Sequence, residues 1–279
     1  MKFGLFGIGS GPCAEPEVAK AVAQAAELAG YDSLWTGEHV VLPDPQAPPS
    51  PAPPEAAMLH PSTILAYLAG VTSTIKLGTG IVLIAQRNPV VLAKEIASLD
   101  VLTQGRLLFG IGAGYLKAEF DALGVEFTER GARTDEYIEV LRILWRSDKP
   151  EFAGKFARFS GIQSRPRPVQ EGGPPLVLGG ASEAAFRRAV QQCQGWYGFA
   201  LDLDSTATCI AGLQEAARRY ERPAELGELE ISVTPRHRVT PEQVSQYEDA
   251  GVSRLILLQR SSNQKDLIEY LNTTAEQLM

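Results

Sequence analysis

Gly105-Arg106-Leu107-Leu108-Phe109-Gly110-Ile111-Gly112-Ala113-Gly114-Tyr115 is the stretch that decides the fold. An apolar run of strand length stops in alternating glycines, and a helical pattern follows from Leu116. Strand, glycine turn and helix form the unit with which α/β proteins bring backbone close to a flat or phosphorylated ligand. The Gly-x-Gly-x-Gly spacing is not the Gly-x-Gly-x-x-Gly of a dinucleotide fingerprint, so the stretch alone does not specify a Rossmann fold. Just upstream, residues 88–104 place Val91, Leu92, Ile96, Leu99 and Leu102 on one side, the period of an amphipathic helix.

The same unit repeats in both directions. Phe3-Gly4-Leu5-Phe6-Gly7-Ile8 predicts a buried first strand, and Gly9-Ser10-Gly11-Pro12 leads into a helix over 15–28 with a glycine stop at Gly30. Asp32-Ser33-Leu34-Trp35 is the second strand and ends at Thr36-Gly37-Glu38-His39. Residues 43–61 carry Pro48-Pro49, Pro51 and Pro53-Pro54, which remove donors and backbone freedom and predict an extended loop. Such a loop is a surface insertion or, beside a site, a lid. After a helix over 62–71, the third strand runs from Ile75 to Leu83, and its inner Gly78 and Gly80 point to a bulge or a close backbone approach.

A long amphipathic helix follows over 129–145. Aromatics (Phe152, Phe156, Phe159) and prolines (Pro166, Pro168, Pro174, Pro175) then predict an excursion with a short hairpin over 149–175. The alternation resumes with strands at 176–178, 196–199, 229–234 and 252–258, each followed by a helical pattern. Eight strands, each followed by a helix, predict a single (β/α)8 TIM barrel domain over residues 1–279; a doubly wound open sheet is the alternative and usually has fewer strands.

The formal net charge of -7 argues against nucleic acid or an anionic membrane as the main partner. The 3 cysteines, Cys13, Cys193 and Cys209, have neither metal nor disulfide spacing and fit a reducing compartment. The apolar start is too short for a signal peptide, and no run approaches the roughly 20 residues of a membrane span, so the expected location is the cytoplasm.

In a barrel the working face lies at the C-terminal ends of the strands. Gly179-Gly180-Ala181-Ser182 is the best phosphate candidate there: glycines permit close approach, and a helix start offers free N–H groups and a dipole. The competing reading is a tight turn with Ser182 as an ordinary N-cap. Gly80-Ile81 can set backbone against a flat ring. Glu38-His39 ends the second strand, where a histidine can act as general acid or base or can tie down the proline loop. His60 is a weaker candidate of the same kind. His237, between Arg236 and Arg238, belongs to a cluster that binds an anionic group or is simply solvated. Cys13 has nothing beside it to make a thiolate.

These pieces together resemble the luciferase-like flavin and deazaflavin monooxygenase and oxidoreductase superfamily. The resemblance rests on Tyr31 to His39, Leu77-Gly78-Thr79-Gly80-Ile81, Arg87-Asn88-Pro89, Ala93-Lys94, Leu99-Asp100, Gly105-Arg106 through Gly114-Tyr115, Glu119-Phe120, Leu123-Gly124, Arg130, Arg133, Glu136 and Leu144-Trp145. Within it the chain looks most like coenzyme F420-dependent oxidoreductases. The resemblance implies a (β/α)8 barrel with a tricyclic ring at its mouth, supported by a bulge with a non-proline cis peptide at Gly80-Ile81. It implies that Gly112, Ala113, Gly114 and Tyr115 line the cofactor, that Gly179, Gly180, Ala181 and Ser182 hold its phosphate, and that His39, preceded by Glu38, is the catalytic acid or base. Two departures stand out: Tyr115 occupies the position of a glutamate found in some deazaflavin enzymes, and His60-Pro61 stands where Asp-Pro is frequent.

The function implied is hydride transfer between coenzyme F420 and a small organic substrate, by a homodimer joined through barrel helices. One alternative is a monooxygenase using FMNH2 from a separate flavin reductase. A deazaflavin has carbon where the flavin has a ring nitrogen, and that atom separates hydride transfer from oxygen chemistry. A second alternative is a flavin-binding barrel without turnover. The residues quoted do not identify the substrate.

Overall fold

The alternation of apolar runs and amphipathic helices closes on itself. A computed structural model describes residues 1–279. Eight parallel staves form the barrel: β1 (Lys2–Phe6), β2 (Ser33–Thr36), β3 (Lys76–Thr79) continued by β4 (Val82–Leu83), β5 (Leu107–Gly112), and, after the hairpin of β6 (Phe152–Ala153) and β7 (Arg158–Phe159), β8 (Leu176–Gly179), β9 (Gly195–Leu201), β10 (Glu230–Pro235) and β11 (Arg254–Leu258). Each stave pairs with the next in sequence, and β11 pairs with β1 to close the ring. The predicted hairpin in the excursion is present, with Phe152 opposite Phe159.

Helices α1 (Pro16–Leu28), α2 (Pro61–Ala69), α3 (Pro89–Leu102), α4 (Lys117–Ala122), α5 (Arg130–Arg146), α6 (Glu183–Gln192), α7 (Leu203–Arg219), α8 (Pro241–Asp249) and α9 (Gln264–Leu278) follow the staves. Their starts are written in the sequence. Asn88 caps α3 by accepting from the N–H groups of Val90 and Val91, with Pro89 at the first helical position. The larger apolar core lies between staves and helices; Trp145 of α5, for example, donates its indole N–H to the Ala93 carbonyl of α3. A smaller cluster of Trp35, Leu108, Val177, Tyr197 and Ile256 fills the barrel interior.

The third stave departs from the single strand that its sequence suggests. Gly78 pairs with Leu108 and Val82 with Ile111, so four residues of one strand span three of its neighbour. That extra residue is the expected bulge, and the Gly80-Ile81 peptide within it is cis, as the resemblance implies. The neighbouring strand must come close: a methyl group at Gly110 would lie 1.8 Å from the Thr79 carbonyl oxygen, and one at Gly112 would lie 2.1 Å from Cδ1 of Ile81. Strand β1 ends two residues earlier than its apolar run, because Gly7 takes φ 104° and turns the chain over the barrel mouth.

The opposite end of the barrel is plugged by charge. Arg254 is 1 % exposed, donates to Asp32 at 2.9 Å and to Ser232 at 3.2 Å, pairs with Glu230, and lies over the Trp35 ring. Burial pushes both carboxyls up, but Arg254 with Lys76 on Asp32, and Arg254 with Lys2 on Glu230, hold them below their ordinary values of 3.8 and 4.5.

Two outcomes follow for stability. Arg254→Ala leaves two carboxylates without their shared partner and is expected to cost about 3–5 kcal/mol in denaturant unfolding near neutral pH. Both carboxyls have depressed folded-state pKa values, so their contribution is complete above about pH 4.5 and is lost as pH falls below it. The gap between wild type and variant should therefore narrow in acid; a constant gap contradicts this account. Gly112→Ala meets a side-chain tip that can yield and should cost about 1–3 kcal/mol. Gly110→Ala meets backbone, and its measured loss should be the larger of the two.

Candidate active site

The C-terminal ends of the staves surround a cavity of about 700 Å³, a size suited to a cofactor with room beside it. Its floor is the bulge. Gly80 lies against Phe6, Tyr197 and Trp35, so closely that a methyl group there would come within 3.2–3.4 Å of all three. Ile81 projects into a slot left by the missing side chains of Gly112 and Gly179. Trp35 and Tyr197 stack with centroids 5.7 Å apart, and the Tyr197 hydroxyl is fixed on Thr234 at 2.7 Å.

The far end of the cavity is Gly179 to Ser182, with Thr134, Ala185 and Arg188. Gly180 takes φ 116°, and its carbonyl accepts from the Trp196 indole at 2.8 Å. Ser182 is the N-cap of α6 and accepts from Ala185 N–H at 3.2 Å, so the capping role is real. The N–H groups ahead of Ala185 have no intrahelical partner, which is the property an anion uses. Arg188, buried at 7 %, is held by a bidentate pair with Asp135 and by the Gly131 carbonyl.

His39 lies on the same cavity with Ala113, Gly114 and Tyr115. Its Nε2 is 3.4 Å from the Tyr115 hydroxyl, and its Nδ1 is 3.6 Å from Oε2 of Glu119. Glu119, on α4, has a fully buried side chain. Its Oε1 accepts from Val40 N–H at 2.5 Å and its Oε2 from Gln86 Nε2 at 3.0 Å. Burial pushes this carboxyl up, but the donors His39, Gln86 and Val40 N–H outweigh it and hold it below the usual range. Burial, with the nearby Glu119 charge, pushes the Tyr115 phenol up.

Glu38 has a different geometry. One oxygen accepts from Leu83 N–H at 2.9 Å, just past the bulge, and the other pairs with Arg87. With both oxygens engaged, Glu38 braces the floor. His60 does not line the cavity; its Nε2 is 3.0 Å from Arg87, behind Glu38. It is thus His60, at the end of the proline loop, that contacts this brace, while His39 faces the cavity. The loop itself forms part of the wall through Pro51, Ala52 and Met58, and is pinned by Gly11 N–H on the Ala57 carbonyl and Leu59 N–H on the Gly9 carbonyl. His237 lies apart, exposed between Arg236 and Arg238 in a separate depression of about 270 Å³ with Asp202 and Tyr247. Burial pushes the Cys13 thiol up to about 11, so it supplies no thiolate.

Sequence reasoning did not assign roles to Glu119, Gln86, Tyr197 or Arg188. Glu119 carried one signal, an acidic residue beside Phe120 on the inward face of a short helix. Arg188 carried none, since six residues, about 1.7 helical turns, separate it from Ser182 and do not put the two on one face.

The model of the luciferase-like monooxygenase family matches residues 2–277. An uncharacterised protein of Mycobacterium tuberculosis (strain ATCC 25618 / H37Rv) is 27% identical over 268 residues, 92% of this chain and 93% of that one. The oxygenase component of the flavin-dependent trigonelline monooxygenase of Acinetobacter baylyi is 31% identical over 172 residues, 61% of this chain and 44% of that one. In three dimensions the barrel is similar to an F420-dependent secondary alcohol dehydrogenase solved with an F420-acetone adduct (TM-score 0.80, 18% identity, 99% of this chain and 98% of that one), a likeness of fold. The chain belongs to the luciferase-like monooxygenase family, a group of flavin- and F420-dependent oxidoreductases and monooxygenases.

Proposed function

We propose that the protein is a coenzyme F420-dependent oxidoreductase that moves a hydride to or from a small organic substrate. The observation that carries this reading is His39: an imidazole on the wall of an apolar cavity, with Nε2 beside a phenol and Nδ1 beside a buried carboxylate. Reduction of a carbonyl, or oxidation of an alcohol, requires one proton to move with each hydride, and such a group serves that need.

The residues present fit the cofactor. Gly112 and Gly179 make room for the Ile81 side chain, so the Gly80-Ile81 backbone of the bulge lines the cavity, and the α6 N-terminus with Ser182 suits a phosphate. Bound there, the deazaflavin supplies or receives the hydride. The chain's own part is fourfold. Gly80 and Ile81 support the ring, and Gly180, Ala181 and Ser182 hold the phosphate end. The wall of Phe6, Met58, Phe199 and Leu258 excludes water, and His39 gives or takes the proton at Nε2. That wall favours a neutral substrate, and carbonyls and activated alkenes are the first classes to screen.

A second reading has one specific support. The flavin-dependent trigonelline relative is named as an oxygenase component, so an FMNH2-dependent monooxygenase served by a separate reductase is the alternative. Under either reading the protein acts as a cytoplasmic homodimer. Exposed Tyr67 of α2 and Val91, Val101 and Leu102 of α3 are the apolar positions available for the contact, and no helix is long and apolar enough to cross a membrane.

Equilibrium binding of F420 and FMN, each oxidised and reduced, is the test. Tighter binding of F420 supports hydride transfer; preference for FMNH2 moves the protein to the oxygenase reading, and binding of neither removes both. With the preferred cofactor, His39→Asn should lower turnover by about 10²–10⁴-fold and leave cofactor affinity near wild type. Unchanged turnover would show that His39 has no proton-transfer role.

A further inference from the structure

Tyr115 lines the cavity without a charge at its tip, and a carboxylate reaches His39 from one helical turn further on. The geometry points to Glu119 as a positioning residue that fixes which ring nitrogen of His39 carries the proton, leaving Nε2 free to exchange one at the cavity. This inference rests on the reading of His39 as the acid–base group.

Three observations carry it. First, Glu119 holds His39 from two sides: Oε1 accepts from the N–H of Val40, the next residue in the chain, and Oε2 stands 3.6 Å from Nδ1. Second, Nδ1 is buried and has no hydrogen-bond partner. At 3.6 Å the contact is slightly longer than a hydrogen bond, and a small ring rotation closes it; such contacts tighten when a site fills. Third, the Glu119 carboxyl is buried yet held below its ordinary range: burial pushes it up, but the Gln86 amide and the Val40 N–H, with the His39 ring beside them, outweigh it.

A carboxylate only accepts hydrogen bonds, so the nitrogen that faces it must carry hydrogen. A neutral imidazole has a single N–H. With that hydrogen on Nδ1, the lone pair lies on Nε2, and the Tyr115 hydroxyl at 3.4 Å is its donor. Once a substrate hydroxyl replaces the Tyr115 hydroxyl at Nε2, that nitrogen is able to take its proton and become imidazolium; in the reverse direction the imidazolium gives the Nε2 proton to a carbonyl oxygen. The other charges around His39 are committed elsewhere: Glu38 is paired with Arg87, His60 stands behind that pair, and Glu95 accepts from Ser62.

Glu119→Gln tests the assignment. The variant has one carbonyl oxygen for three contacts: Val40 N–H retains it, and Gln86 turns its unpartnered Oε1 to accept from the new amide. Its amide NH2 then faces Nδ1, which must become an acceptor, and the hydrogen moves to Nε2. The full chain labelled with ¹⁵N-histidine has only 3 imidazoles, and the His39 signals are assigned by their loss in His39→Asn. Measured in alkaline buffer, where the ring is neutral, wild type should show the Nδ1–H tautomer and Glu119→Gln a shift toward Nε2–H. With the preferred cofactor, kcat should fall about 10²-fold or more with KM little changed.

A dominant Nε2–H tautomer of His39 in wild type overturns the inference even where Glu119→Gln does not fold. The same tautomer in both proteins overturns it as well. The readout does not depend on turnover: if His39→Asn remains active while the tautomer shifts as expected, the catalytic reading of His39 fails and the positioning by Glu119 stands.

Discussion

The near-contact between the Gly110 backbone and the Thr79 carbonyl is the constraint on which the site depends. The third stave has to accommodate one residue more than its neighbour, and only an adjacent strand without side chains at 110 and 112 leaves the space. Thr79 fastens the approach through its hydroxyl, which donates to the Gly110 carbonyl at 2.7 Å. The bulge then places Ile81 against Gly112 and Gly179 and exposes a flat stretch of backbone to the cavity. Alternating glycines at the end of β5 thus serve the neighbouring stave, and the ligand gains from it indirectly.

Two buried glutamates divide the work around this floor. Glu38 spends one oxygen on the backbone beyond the bulge and the other on Arg87, so it is balanced and static. Glu119 has no cation of its own. It is held by a backbone N–H and an amide and keeps one edge toward His39. A buried carboxylate without a cation is costly unless donors surround it, and here the Val40 N–H and the Gln86 amide supply them. The difference between the two acids lies in their partners, not in their burial.

Much of this was legible in the chain itself. Strand–helix alternation predicts all eight staves, because parallel buried strands read as continuous apolar runs, and the glycines at 78 and 80 mark the bulge. The position of His39 at the barrel mouth follows from its place after the second strand. What the sequence does not show is pairing. Periodicity cannot say that Glu38 turns to Leu83 N–H and Arg87 while Glu119, 81 residues further on, turns to His39. Nor can it place His237, which follows a strand as His39 does. Pro235 ends β10, and the next residues bend outward, with Arg236 donating to the carbonyls of β9.

Charge also gives the cavity a direction. At the α6 end, Arg187 and Arg188 share the single carboxylate of Asp135, which leaves one positive charge in excess beside the unpaired N–H groups of the helix. At the other end, Glu119 is the uncompensated charge. A helix dipole adds its positive end to the first region. An elongated ligand with one anionic terminus is therefore favoured in one orientation and opposed in the reverse, where its charge would meet a buried carboxylate. Under the proposed function, that polarity would direct a phosphate toward Ser182 and bring the uncharged end of the ligand to the imidazole.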